Sequence, residues 1–153
     1  MLLRSFKSAD EDQVISLWQA CNLVVPQNDP RKDIARKLKV NPELFIVGEL
    51  AGDIVGSCMA GYEGHRGWIN YLAVHPHHQR QGYATQLMKE AERLLREVGC
   101  PKINLQIRSS NSEVIAFYNA LGYVEDCVVS FGLRLQSDQI GEQDSAHQST
   151  TAP

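Results

Sequence analysis

Eleven consecutive residues, His75-Pro76-His77-His78-Gln79-Arg80-Gln81-Gly82-Tyr83-Ala84-Thr85, place a glycine and a cation between a β-rich run and a helical one. A loop of this kind presents successive backbone N–H groups at a helix N-terminus, where unpaired amides and the helix dipole favour an anion. Gly82 removes a side chain where a phosphate approaches the backbone, and Ala84 keeps the next turn small. A pyrophosphate is the natural ligand. The segment lacks the Gly-Lys-Ser/Thr of a P-loop and the three spaced glycines of a dinucleotide fingerprint. Three nearby histidines without carboxylates are poor zinc ligands, so no metal is expected. The four cysteines, Cys21, Cys58, Cys100 and Cys127, fit no C-x-x-C spacing, and their apolar neighbours suggest buried free thiols.

The elements that must hold this loop follow from period and punctuation. Residues 2 to 7 alternate weakly, as an edge strand would. Ser8-Ala9-Asp10-Glu11 reads as a capping box, followed by Val14, Leu17, Trp18 and Cys21 on one helical stripe. Asn28-Asp29-Pro30 starts a second helix, with Asp29 as the cap, Pro30 at the first position, and Ile34 and Leu38 on its buried face. The period changes at Leu44. Leu44 to Val47, Ile54 to Tyr62 and Trp68 to Val74 form a meander, with turns at Ala51-Gly52-Asp53 and Glu63 to Gly67. A long helix from Ala84 stops at Gly99, and Ile103 to Ile107 is a strand again. Ser110-Asn111-Ser112-Glu113 repeats the capping-box pattern before a short helix ending at Gly122, and Val128 to Leu135 is the last expected strand. The expected fold is therefore α/β of the α+β type, a mixed, largely antiparallel sheet flanked by helices. Its strand–helix–strand crossover over residues 68 to 107 makes two strands parallel.

Composition bounds the reading. With 153 residues, the chain suits one domain, over residues 1–136, with 137–153 as a disordered tail poor in apolar side chains. Its net charge of −3 comes from Asp138, Glu142 and Asp144, so the rest is neutral and nothing resembles a broad basic nucleic-acid surface. No apolar run is long enough to span a membrane, and the first residues lack a signal core, which makes the cytoplasm the expected location.

Gln79-Arg80-Gln81-Gly82-Tyr83-Ala84 resembles the Gln/Arg-x-x-Gly-x-Gly/Ala element of the GNAT superfamily of N-acetyltransferases. Asn111 with Ala116-Phe117-Tyr118-Asn119-Ala120-Leu121-Gly122-Tyr123 resembles its second landmark, in the right order and at fitting intervals. Asn28-Asp29-Pro30, the Gly61 to Gly67 turn and Gly99-Cys100-Pro101-Lys102-Ile103 are most similar to bacterial YpeA-type acetyltransferases. The resemblance implies that the strands ending at Val74 and around Leu105 splay into a cleft for acetyl-CoA, the co-substrate. Leu72, Ala73 and Val74 would pair with its pantetheine arm, Gln79, Arg80, Gln81, Gly82, Tyr83, Ala84 and Thr85 would hold its pyrophosphate, and Asn111 would touch it from the other side.

It also implies Tyr118 as the general acid toward the CoA sulfur. The phenol is protonated at neutral pH, since its ordinary pKa is about 10. Some relatives place a glutamate base where Gln106 stands, and Gln106 accepts no proton, so Glu63, His65 or a water chain must serve. Asn28 and Asp29 would form one wall of the acceptor site. The expected activity is acetyl transfer to a primary amine, whether on a small molecule, a peptide N-terminus or a lysine, by direct attack in a ternary complex. Neither Cys58 nor Cys100 has a paired base that would make it a covalent carrier. The missing glutamate motivates an alternative, a non-catalytic acyl-CoA sensor or interaction module. Monomer and homodimer both remain open.

Overall fold

The computed structural model describes residues 1–138. Nine regular elements follow one another: β1 (Leu2–Ser5), α1 (Glu11–Ala20), α2 (Pro30–Lys37), β2 (Phe45–Leu50), β3 (Asp53–Tyr62), β4 (Gly67–Val74), α3 (Tyr83–Glu97), β5 (Ile103–Asn104) and α4 (Ser112–Ala120). The strands lie in sequence order, antiparallel up to β4, with β4 and β5 parallel, so the sheet is mixed and largely antiparallel as expected.

Strand alternation divides the core between the two faces. Phe45 and Val47 join Trp18, Leu17, Val14 and Ile34 beneath α1 and α2. Ile46 and Cys58 join Leu87, Met88, Ala91 and Leu95 beneath α3. The second helix begins as its sequence indicates, with the Asp29 carboxylate accepting from the N–H of Arg31 at 2.8 Å. Lys37 on its inner side is buried, its ammonium donating to the carbonyls of Ala60 and Val40.

Several local expectations are corrected. Ser8–Asp10 is a short 3-10 turn rather than a Ser8/Glu11 capping box. Asp10 accepts from the Lys7 N–H at 2.8 Å and is clamped by both terminal nitrogens of Arg4. Asn111, not Ser110, caps α4, its Oδ1 accepting from the Val114 N–H at 3.2 Å, while Glu113 turns to solvent. The strand expected over 103–107 shrinks to two residues, because backbone pairing with β4 is confined to Gly67 and Trp68. Val128 to Leu135 forms no strand, since no neighbour pairs with it. Of the cysteines only Cys58 is buried; Cys21 and Cys100 are half-buried and Cys127 is exposed. The expected tail from residue 139 lies outside the described residues. Asp138, placed by sequence in that tail, has its carboxylate against the Asp29 N–H and Arg36.

A bulge shapes the strand that borders the cleft. Cys58 stands where β4 has two residues, Tyr71 and Leu72, and Tyr71 takes φ of +50°. Two hydrogen bonds pin this irregularity, from Trp18 Nε1 to Ser57 Oγ at 2.9 Å and from Ser57 Oγ to the Tyr71 carbonyl at 3.0 Å. The Tyr71 ring stacks on Trp18 at 3.9 Å. Ser57→Ala strands a buried indole N–H and a carbonyl, so it is expected to cost about 2–4 kcal/mol. Urea unfolding checks this: the midpoint falls while the slope stays unchanged.

Candidate active site

The cleft opens where β4 and β5 part. Past Trp68 the β4 edge that faces β5 has no strand beside it, leaving Leu72, Ala73 and Val74 next to the gap. An unpaired strand edge is a template for an extended amide-bearing chain. Val74 is anchored behind it, its carbonyl accepting from Gln79 Nε2 at 3.0 Å and from Cys21 Sγ at 3.3 Å.

The loop leading out of β4 is built for an anion. His75 caps the short turn Pro76–His78 by accepting from the His77 N–H. Arg80 and Gly82 both take positive φ, +61° and +78°, turning the chain sharply into α3. Gly82 is the N-cap, and no side chain bonds the first turn of α3, which also contains no acid. The N–H groups of Tyr83, Ala84 and Thr85 are the helix's first three donors and lack intrahelical acceptors by construction. A Cβ at Gly82 would meet no protein atom within 4 Å, so the space above this backbone is open. The loop and amides fit a pyrophosphate. Arg80 reaches across to Glu113 at the start of α4, an exposed pair at 3.3 Å that joins the two helix N-termini.

Tyr118 completes the inner wall. The apolar cluster beneath α3, which extends along the sheet face from Tyr62 and Cys100 to Val74, includes it together with Leu72, Val74, Tyr83 and Ala84. Its ring packs edge-on against Phe117 and Tyr123. The side chain is 6% exposed, and among the described residues its hydroxyl has no hydrogen-bond partner. Burial pushes the phenol's pKa well above its usual value, with the neighbouring Cys58 adding to the shift. The proton therefore stays on oxygen at every physiological pH. Tyr118 also borders a cavity of about 1280 Å³ that runs along β5 past Leu105 and Ile107. Asn111 sits exposed at the tip of α4, its oxygen committed to the cap.

Glu63 and His65 are not brought to this cleft. They lie in the turn before Gly67, where β4 and β5 are paired, whereas the anion loop follows Val74 at the other end of β4. Seven residue steps at about 3.3 Å separate those ends by roughly 23 Å. Glu63 is spent on its own turn, its oxygens accepting from the N–H of His65 at 2.6 Å and of Arg66 at 2.8 Å, bonds that hold its pKa below the usual carboxylate range. Gln106 donates to Ser130 Oγ, and its carboxamide is not basic enough to take a proton. Cys58 is also excluded as a nucleophile, since burial pushes its thiol up to about 12.

On the other face of the sheet the side chains beside α1 and α2 are polar. Tyr71, which the sequence reading passed over, donates its hydroxyl to Asp33 Oδ2 at 2.7 Å, and burial beside this carboxylate raises its pKa. Asp33 also accepts from Arg36, which holds Asp138. Asn28 accepts from Arg134 at 3.1 Å and Asp29 is occupied as the α2 cap. The only sequence signal for Tyr71 was a polar aromatic in an apolar strand.

A sheet split between two parallel strands beside a bare helix N-terminus suits an extended ligand that carries a phosphate. The sequence pattern of the acetyltransferase (GNAT) family matches residues 11–123, and the chain belongs to that family. It is 48% identical over 140 residues to an acetyltransferase of Sodalis glossinidius, covering 91% of this chain and 99% of the relative. The fold is shared with the ribosomal-protein-S18-alanine N-acetyltransferase of Escherichia coli, with a TM-score of 0.70 at 21% identity over 82% of this chain and 78% of that one. It is shared too with AAC(6')-Iy in complex with a CoA-linked bisubstrate analogue, with a TM-score of 0.72 at 18% identity over 87% and 97% of the two chains. The protein is thus an acetyl-CoA-dependent N-acetyltransferase. Among the described residues no helix is long and apolar enough to cross a membrane.

Proposed function

We propose that a single domain over residues 1–136 moves the acetyl group of acetyl-CoA directly to a primary amine held in a ternary complex. The observation that carries this reading is the meeting, at one end of β4, of its open edge and the uncapped first turn of α3, with the Tyr118 phenol on the same face of the sheet and without a hydrogen-bond partner among the described residues. In this reading Gln79 to Thr85 hold the pyrophosphate and Leu72, Ala73 and Val74 line the pantetheine, with Asn111 facing it from α4. The neutral amine attacks the acetyl carbonyl, the carbon–sulfur bond breaks, and Tyr118 gives its proton to the departing sulfur. A backbone N–H of β4 stabilises the tetrahedral oxygen.

The ammonium proton leaves through water. Gln106 takes none, and Glu63 and His65 sit at the far end of β4. A water chain also returns a proton to the phenol, which balances the proton lost from the attacking nitrogen. Transfer from the neutral amine therefore releases one CoA thiol and no net proton, and the one proton released overall is the one that the ammonium form of the acceptor loses before attack. The acceptor approaches from the α1–α2 side, where Asn28, Tyr71 and Asp33 present polar atoms suited to a cation. A cytoplasmic setting fits the dependence on acetyl-CoA.

Thiol release from acetyl-CoA over polyamines, amino acids, aminoglycosides, and N-terminal and lysine peptides tests this. The expected result is release that depends on one amine class, with one acetyl-amine formed per thiol. Tight acetyl-CoA binding without transfer to any amine, proteins included, would leave only a sensor.

A further inference from the structure

Tyr71 is a bulky side chain on a backbone that such residues avoid, with φ of +50°. A conformation of this kind persists only where the surroundings enforce it, and it gathers at functional sites. Here it turns the strand over. Leu72 packs toward α3, whereas Tyr71, just before it, packs toward α1. The stack of the Tyr71 ring on Trp18 at 3.9 Å uses no oxygen, so a phenylalanine would meet the needs of packing equally well. What distinguishes tyrosine is its hydroxyl.

A chain of charged groups fixes that hydroxyl. It donates to Asp33 Oδ2 at 2.7 Å, while Asp33 Oδ1 accepts from Arg36 at 3.0 Å. Arg36 in turn donates to both oxygens of Asp138, at 2.6 and 3.0 Å, and Asp138 also accepts from the Asp29 N–H at 3.0 Å. Lys32 lies 3.9 Å from Asp138, and Arg134 donates to the Asn28 oxygen. The two cations of α2 are thus turned toward Asp138 and the far oxygen of Asp33. Since a phenol has one proton and Tyr71 commits it to Asp33, the outward side of its oxygen can only accept. A carboxylate one hydrogen bond behind that oxygen favours a charged donor over a neutral one. The Asp33 side chain is 19% exposed, so the pair is partly withdrawn from water.

We propose that Tyr71 and Asp33 read the acceptor: the Tyr71 oxygen accepts a hydrogen bond from the acceptor nitrogen, and Asp33, acting through it, selects the cationic form of a strongly basic aliphatic amine. This role rests on the function proposed above. There the pantetheine runs from the loop after Val74 back along Ala73 and Leu72, so its acyl end arrives level with Tyr71, the next residue. The Tyr71 side chain stands on the α1–α2 side, from which the acceptor approaches.

The pair captures and orients without taking the proton. Burial beside Asp33 keeps the phenol protonated, so the ammonium loses its proton to water as described. The hydrogen bond to Tyr71 then holds the nitrogen while its freed lone pair turns to the acetyl carbon. Selection acts on the charge at the nitrogen and not on the body that carries it. Polyamines and lysine side chains pass this test, whereas arylamines, neutral at physiological pH, do not.

NMR titration of the CoA-saturated full-length protein with ethylamine and with 2,2,2-trifluoroethylamine tests this without any turnover. The two have nearly the same shape, but at neutral pH the first is a cation and the second is not. The wild type is expected to bind ethylammonium at least about tenfold more tightly. In Asp33→Asn and in Tyr71→Phe that preference should fall to about twofold or less, with acetyl-CoA affinity and circular dichroism unchanged. The double variant should be no worse than either single one, because Asp33 acts through the phenol. Tyr71→Phe keeps the ring and its stack on Trp18, so a folding defect in Asp33→Asn does not shelter the proposal. Equal binding of the two amines by the wild type overturns it, as does a preference that survives in either folded variant. Charge selection lost in both variants, in a protein that acetylates no amine, supports the pair and counts against the transferase reading alone.

Discussion

Gly82→Asp removes acetyl-CoA binding in a calorimetric titration, raising the dissociation constant at least about a hundredfold, while the protein stays folded. Folding survives for two reasons. A Cβ at this position meets nothing within 4 Å, and Asp is among the residues that tolerate the left-handed backbone of φ +78° found here. Binding fails because the new carboxylate stands at the N-cap, over the α3 amides that are otherwise bare. It satisfies those donors itself, and it sets a negative charge against the pyrophosphate, a like-charge juxtaposition that costs several kcal/mol. Gly82→Asn separates the contributions, since it has nearly the same shape and no charge. It is expected to weaken binding about tenfold, less than the aspartate, by competing for the amides. Undiminished affinity in Gly82→Asp would show that the pyrophosphate sits elsewhere.

The loop was legible because everything it needs is local: a glycine, a helix start and the strand before it. The helices were legible for the same reason, Val14, Leu17 and Trp18 forming a stripe that the structure buries completely or nearly so. What escaped depends on pairing across the sheet. Ile69 faces α3, yet Tyr71, two residues on, faces α1, because the bulge opposite Cys58 turns the strand over between them. Period-two reading carries no trace of such a reversal. Glu63 and His65 looked like neighbours of the cleft because they precede the right strand, but only the direction in which β4 and β5 part reveals that they stand at its closed end. Val129 to Leu135 has the composition of a strand and lacks a partner within the described chain. Composition specifies what a segment can pair with, not which molecule supplies the neighbour.

Tyr118→Phe is the variant in which binding and chemistry separate. Turnover with any active amine is expected to fall about 10²–10³-fold, within the range that a positioned general acid supplies. Acetyl-CoA affinity is expected to stay within about twofold, because the ring's contacts with Phe117 and Tyr123 survive and the hydroxyl bonds no described residue. Removal of that oxygen strands no partner, which makes the substitution unusually clean. The effect has a definite sign with pH. The phenol titrates far above neutrality, so it imposes no falling alkaline limb on the wild-type enzyme in the physiological range, and the rise of activity with pH reports deprotonation of the acceptor amine. Tyr118→Phe should therefore lower the whole profile without shifting its rising limb. Leaving-group chemistry gives a second signature. A thioester whose thiol has a lower pKa needs less proton donation, so the deficit of the Phe variant should shrink with such an acetyl donor. A constant deficit across donors would assign Tyr118 to packing rather than to the departing sulfur.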